Sequence, residues 1–512
     1  MKLSDDTVPF HEYINPVAVL LLIFAALYWS ELSTFTLSQD DELAAFRQSA
    51  DVWLSQGRWG IYLVERFLMP RPIIPYLPMA LYGILSSIGY LFVLKAYGFK
   101  PGAIAYVIFP IFVAYPSWFW LLEFGANIAS AGFGILAVSA STYVFSRLLA
   151  KPIRKISLAD ICAHVLLGGI AASFYQTIIL SKAVLLVGLI IVNGTKLQWN
   201  SRTILINITL AVMSTVGSLI TYALILKVFL AATETHLAYI QNFLDLETFG
   251  NRPFHVLATT LYEVLAVYSG SIDAYGVFSP TFVIPIAFGV ISTVWAVGCQ
   301  KANWLLPLAT ILLLLVPFVQ FPLAGGSMPL RALVAVPATV WVMAAIGFKC
   351  APLWMSRLAF ISAPLIALQL VNVLAQLEAT SSFLRTHDQL LAGAIYSRIS
   401  DTIPDFRTDH IYKIDIYGGK QFKPIYYPGR GSTASNSFFG LAGGQTDRIV
   451  NYMYLIGFTN LEEVSQEERT RLIGNYADMP IWPQPKSVRF IDGTILVRLG
   501  EQPSVDHLKI RN

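Results

Sequence analysis

The chain has 512 residues, 55% of them hydrophobic and only 13% charged. A soluble globular protein carries roughly 25% charged residues, so a soluble enzyme is excluded. A net charge of +4, dispersed along the chain, argues against nucleic acid as a partner.

The charges are unevenly placed. Of the 66 Asp, Glu, Lys and Arg residues, 29 lie in residues 379–512 and 37 in the first 378. The sequence reads as a large apolar body followed by a water-compatible tail. Cys162, Cys299 and Cys350 are scattered, with neither metal-ligand spacing nor pairing, and read as core residues.

Spanning a bilayer takes about 20 apolar residues. Eleven stretches qualify, near 16–36, 73–95, 102–120, 125–147, 158–175, 177–193, 203–230, 277–299, 304–322, 331–348 and 358–378. The fifth and sixth are nearly fused, broken around Ser173-Phe174-Tyr175-Gln176. The first follows an acidic start (Asp5, Asp6, Glu12) and lacks a small-residue cleavage site, so it reads as a span and not a signal peptide. The expected fold class is therefore an α-helical polytopic membrane protein with about 11 transmembrane helices, residues 1–378. A C-terminal extracytoplasmic α+β domain, residues 379–512, follows it.

Basic residues in short loops set the orientation. With the N-terminus cytoplasmic, the inner turns hold Lys95 and Lys100, then Arg147, Lys151, Arg154 and Lys155, then Lys196 and Arg202, Lys301, and finally Lys349 and Arg357. The segments 37–72, 231–276 and 379–512 then share the outer side, and chemistry is expected there.

The first outer loop carries Asp40, Asp41 and Glu42, followed by Leu43, Phe46, Ala50, Trp53 and Leu54 at helical spacing. The spacing predicts an amphipathic helix over 42–56 resting in the membrane interface. Ser38 and Asp41 fit a capping box, which would make the acids structural. The competing reading makes one Asp a general base, its pKa raised beside low-dielectric walls.

The acidic pair and the segment Trp53-x-x-x-Gly57-Arg58-Trp59-Gly60 resemble the Gtr-type O-antigen glucosyltransferases, the serotype-converting enzymes of bacteria and their phages. The resemblance continues in Tyr175-Gln176 at a membrane break and in Arg331 after a Gly-rich turn. It ends in Met479-Pro480-Ile481-Trp482-Pro483, Ser487-Val488-Arg489 and Asp492-Gly493 before Ile495-Leu496-Val497. It implies a C-type membrane glycosyltransferase of the bacterial inner membrane. Such an enzyme moves a hexose, glucose in that family, from a polyprenyl-phosphate donor to a surface glycan on the periplasmic side. Inversion would follow from direct attack, with Asp40 or Asp41 as base and Glu42, Arg58, Glu123, Tyr175 and Gln176 in supporting or acceptor-binding roles.

Ionisable groups at membrane depth are costly and point to function. Lys182, Lys227, Arg331, Arg66 and Arg71 all fall in the outer half, where Lys or Arg can grip a lipid-linked phosphate. For Lys227, snorkelling to water is the favoured reading. Trp118 and Trp120, near Glu123, read as an interfacial aromatic belt. No cofactor is expected. A divalent metal held by His236, His255 and an acid is conceivable, though the spacing fits no recognised pattern. Gly429-Arg430-Gly431-Ser432 reads as an ordinary loop, since no Lys-Ser/Thr follows it.

In the tail, residues 379–400 pattern as a helix, 411–417 as a strand, and Ser465 with Glu468 as a helix start. Strands near 487–491 and 494–499 are joined by Asp492-Gly493. A transporter of lipid-linked intermediates is the alternative function; internal repeats and midplane charges are its expected marks. A structural role in an envelope complex, with the tail as binding module, is the third.

Overall fold

A computed structural model describes residues 14–34, 37–69, 76–151, 157–238 and 243–509. Asp5, Asp6, Glu12, Arg71, Arg154 and Lys155 lie outside the described residues. The chain divides into two compact units. One comprises Met1–Phe35, Ser49–Ala375 and Gly429–Gly431; the other comprises Thr36–Gln48, Gln376–Pro428 and Ser432–Asn512. Each unit thus takes in a short segment whose sequence neighbours belong to the other. The acids of the first loop were expected with the membrane domain, and they belong to the second unit.

The first unit is helical. Among the described residues, seven helices that begin in it, Leu77–Ala96, Asn127–Ala150, Ile178–Lys196, Ser201–Thr233, Pro280–Gln300, Leu305–Leu323 and Leu353–Thr402, are long and apolar enough to cross a membrane. The bent pair Ala103–Ala114 and Pro116–Leu122 makes an eighth if counted as one span, while Asn15–Leu27, Leu158–Phe174 and Val336–Cys350 are apolar but shorter. The bend of 43° falls where one span was expected over 102–120. Its cause is local: Tyr115 precedes Pro116 and takes an extended conformation, φ −60° and ψ 136°. Ending a helix there orphans its last carbonyls. The hydroxyls of Tyr28 and Tyr82 donate to the carbonyl of Val113 at 3.0 and 2.7 Å, and Trp118 Nε1 donates to that of Phe112 at 2.9 Å. Trp118 and Trp120 are accordingly buried among protein side chains, and they form no interfacial belt.

Small residues let the helices approach closely, the usual device where lipid removes a hydrophobic drive between helices. A Cβ on Gly132 would stand 2.9 Å from the Cα of Tyr82. Cys350 is buried, whereas Cys162 and Cys299 are exposed, against the expectation of three core residues. The expected break between the fifth and sixth spans is present: Leu158–Phe174 ends, Tyr175 is extended, and Ile178–Lys196 begins.

The expected helix over 42–56 is not continuous. Short helices cover Asp41–Ala44 and Val52–Ser55. Between them Ser49 Oγ accepts from Asp51 N at 3.1 Å, the local side-chain bonding that competes with helix. Its apolar residues do not face lipid as a set either: Trp53 and Leu54 are buried with Trp59, Phe174 and Tyr222.

Nothing in the sequence between 365 and 392 breaks a helix. The expected span 358–378 and helix 379–400 are one helix, Leu353–Thr402. Its second half packs in the other unit on a four-stranded sheet of order β2-β1-β4-β3, where β1 is Tyr412–Tyr417, β2 Leu461–Glu463, β3 Val488–Ile491 and β4 Thr494–Arg498. β1 pairs in parallel with both β2 and β4, and β3 and β4 form an antiparallel hairpin. Asp492 and Gly493 turn the hairpin with φ 50° and 79°, both positive as a tight two-residue turn of this hand requires. Ile414, Ile416, Ile495 and Val497 meet Ile395 and Ile399 of the long helix and Ile449 and Met453 of the helix Thr446–Leu455. Ser465 and Glu468 complete a capping box on Gln466–Leu472.

Candidate active site

In the second unit the first-loop segment is fastened by side chains at several points. Leu37 packs on the core, Gln39 Oε1 accepts from Asn436 Nδ2 at 3.2 Å, and Phe46 meets Tyr454 edge-on at 5.3 Å. The acids sit between these anchors. Asp40 takes φ 75°, a left-handed conformation that Asp tolerates better than most residues. Asp41 Oδ2 accepts from both Ser38 N and Ser38 Oγ at 2.8 Å. The acid thus holds the Ser38 amide as the expected capping box requires, and Ser38 Oγ donates to the same carboxylate.

The three carboxylates differ sharply in exposure. The Asp40 side chain is 51% exposed, whereas Asp41 is 5% and Glu42 0% exposed. Burial pushes Asp41 up to about 7, against the pull of the Ser38 hydrogen bonds, with the Asp40 charge adding to the rise. Burial likewise pushes Glu42 up to about 7, against the opposing charge of Arg448. Arg448, from Thr446–Leu455, places Nη2 2.5 Å from Asp40 Oδ1 and Nη1 2.8 Å from Glu42 Oε1. No local sequence pattern signals this residue.

In the first unit the Trp53–Gly60 motif and Tyr175-Gln176 come together. Arg58 is 7% exposed; its guanidinium lies 4.7 Å from the Tyr175 ring centroid, and Nη1 is 3.4 Å from Asn127 Oδ1. Gln176 Nε2 donates to Gln56 O at 2.7 Å, and the Tyr222 hydroxyl donates to Gly57 O at 2.7 Å. Trp53 Nε1 donates to Glu65 Oε2 at 2.5 Å. Gly57 has φ 75°, and a Cβ on Gly60 would stand 2.3 Å from Ser173 Oγ. Each fixed letter of the motif therefore has a packing reason.

Lys182 is fully buried, with Nζ 2.6 Å from Ser218 Oγ and 3.2 Å from Ser214 O. Gly168 makes room for it, since a Cβ there would lie 2.7 Å from Nζ. Arg331 sits in the turn Leu330–Ala332, ahead of the helix Val336–Cys350, with its guanidinium 5.1 Å from the ring centroid of Phe124. Glu123, the neighbour of Phe124, is 8% exposed. Lys227 is exposed on Ser201–Thr233. Arg66 is exposed in a π-helical turn, Val64–Leu68, bonded to the Tyr62 hydroxyl.

Two further arrangements escaped sequence reasoning. The Gly429-Arg430-Gly431 loop presents Arg430 to Glu263 of the helix Pro253–Tyr268. In the second unit, Ser504 Oγ lies 2.7 Å from His507 Nδ1 and His507 Nε2 lies 3.0 Å from Asp415 Oδ2. That resembles a hydrolytic triad, but all three residues are 0% exposed and Asp415 also accepts from Arg469 and Tyr476. It is a buried structural knot. Burial would raise Asp415, yet the His507 and Arg469 contacts hold it below the usual carboxylate range. Among the described residues, no three His, Cys, Asp or Glu side chains gather as a metal site would need.

The first unit, with its long apolar helices, is that of a multi-pass membrane protein. The sequence model of the family Glucosyl transferase GtrII matches residues 30–347, so the chain belongs to that family and is a glycosyltransferase. No protein of curated function matches it in sequence. Among solved structures it is similar to ArnT from Cupriavidus metallidurans bound to undecaprenyl phosphate, at 12% identity and a TM-score of 0.40, over 89% of this chain and 90% of that one.

Proposed function

We propose that the protein transfers glucose from a polyprenyl-phosphate donor to an O-antigen-like surface glycan on the periplasmic face of the bacterial inner membrane. In this reading an acceptor hydroxyl oxygen attacks the anomeric carbon from the face opposite the phosphate. The carbon–oxygen bond to phosphate breaks, the hydroxyl proton passes to a carboxylate, and polyprenyl phosphate leaves. One displacement inverts the anomeric centre. Phosphate is a competent leaving group, so positioning and charge neutralisation carry much of the catalysis.

Asp40 is the base in this account, and the difference in exposure carries that choice. Its carboxylate is half open, while Asp41 is buried and committed to Ser38, and Glu42 has no exposed surface. Lys182 and Arg331 are assigned to the donor phosphate. Arg66 and Lys227 are assigned to its approach, and Arg58, Tyr175, Gln176 and Glu123 to acceptor binding or support. The family membership and the membrane-depth cations support this reading. The direct test incubates purified protein with polyprenyl-phosphate glucose and a lipid-linked glycan, and weighs the product. Gain of one hexose with release of polyprenyl phosphate is expected; no transfer from this donor contradicts the proposal.

A further inference from the structure

The guanidinium of Arg448 binds two different carboxylates, Asp40 Oδ1 at 2.5 Å and Glu42 Oε1 at 2.8 Å, and its side chain is only 12% exposed. Arg448 is the third residue of the ten-residue helix Thr446–Leu455. A cation there opposes the helix dipole, so its own helix gains nothing from the charge. The carboxylates are what it serves. We infer that Arg448 is a positioning residue for the transfer reaction: anchored on buried Glu42, its guanidinium aims the carboxylate of Asp40. This rests on the reading of Asp40 as base.

The arrangement has a physical logic. An arginine alone beside Asp40 would stabilise the carboxylate and weaken it as a base. Glu42, on the other nitrogen of the fork, shares that positive charge and holds the guanidinium in place, so Asp40 gains a fixed direction. Glu42 in turn is fully buried, and Arg448 Nη1 stands 2.8 Å from its Oε1. Docking of the segment does not depend on this fork, because Gln39–Asn436 and Phe46–Tyr454 fasten it separately.

A double-mutant cycle in kcat tests the inference, with Arg448→Lys, Arg448→Gln, Asp40→Asn and Asp40→Asn/Arg448→Lys. Arg448→Gln is expected to lose about 10- to 100-fold in kcat, with both KM values within about threefold, and Arg448→Lys to recover part of the loss. In the Asp40→Asn background, Arg448→Lys should change the residual rate by less than about threefold, because the two residues act as a unit. Unchanged kcat in both Arg448 variants, while Asp40→Asn is inactive, overturns the inference alone. Losses that multiply in the cycle overturn it too, as does failure of both Arg448 variants to insert. Near-normal turnover in Asp40→Asn overturns the base reading itself, and this inference with it.

Discussion

Arg430 grips Glu263 with both arms of its guanidinium, Nη1 to Oε1 at 2.7 Å and Nη2 to Oε2 at 2.8 Å. Such parallel bonds are the strong form of a charged pair. Arg430 Nε also stands 3.1 Å from Asp273 Oδ2, and its backbone N–H donates to Asp273 O at 2.8 Å. The flanking glycines allow the approach. A Cβ on Gly429 would meet Ala274 O at 2.4 Å, and one on Gly431 would meet Trp120 at 2.5 Å. The loop is a fastening, and Glu263, with a side chain only 5% exposed, is its buried half.

Arg430→Ala should therefore destabilise the protein by about 1–3 kcal/mol, the range for a lost hydrogen-bonded charge, reduced because Arg430 itself is partly open. Arg430→Lys keeps charge but not the fork, and should recover less than half. Thermal unfolding in detergent reads this directly. Unchanged melting in Arg430→Ala would make the fastening irrelevant to stability.

Asp41 gives a pH prediction with a definite sign. Its folded pKa is raised from 3.8 to about 7. Between those values the folded state keeps a proton that the unfolded state has lost, so this residue's contribution to stability falls as pH rises towards 7. Asp41→Asn does not titrate. Its stability relative to the natural protein should improve by up to ~1.4 kcal/mol per unit between pH 5 and 7, then level off. A difference independent of pH would mean that Asp41 is ionised throughout.

The donor assignment predicts a split between substrates. Removing one charge-assisted hydrogen bond is worth roughly 1.5–3 kcal/mol, or about 10- to 150-fold in affinity. Lys182→Gln and Arg331→Gln should each raise KM for the lipid donor within that range, and KM for the acceptor far less. Lys182 already holds Ser218 and Ser214, so a purely structural lysine is the competing outcome. That case would show as lower melting temperature with unchanged donor KM.

What was legible in the sequence was local. The Asp492-Gly493 hairpin and the Ser465–Glu468 capping box each depend on a few adjacent residues, and both form. Longer apolar patterns misled where hydropathy has two solutions. Trp118 and Trp120 are as apolar in a protein interior as in a lipid interface, and the interior holds them. The 42–56 pattern carried helical spacing but also Ser49 and Asp51, which bond locally and interrupt it. Arg448–Asp40 and Arg430–Glu263 were illegible for a different reason: they join residues 408 and 167 positions apart. A charge in a tail looks solvated until the fold supplies its partner. The motif Trp53–Gly60 was visible as a resemblance, and its cause, close packing on Ser173 through Gln176, became visible only in three dimensions.

Turnover of Asp40→Asn against Asp41→Asn decides whether Asp40 removes the acceptor proton, as proposed. Asn keeps the size of Asp, and it tolerates the left-handed conformation at position 40 equally well. Both variants should insert normally. With polyprenyl-phosphate glucose and a glycan acceptor, Asp40→Asn should lose about 10²–10⁴-fold in kcat, the usual worth of a general base. Asp41→Asn should lose less than about tenfold, since its carboxyl serves the Ser38 turn. Near-normal turnover in Asp40→Asn contradicts the account, and the base must then be sought at Asp41 or Glu123.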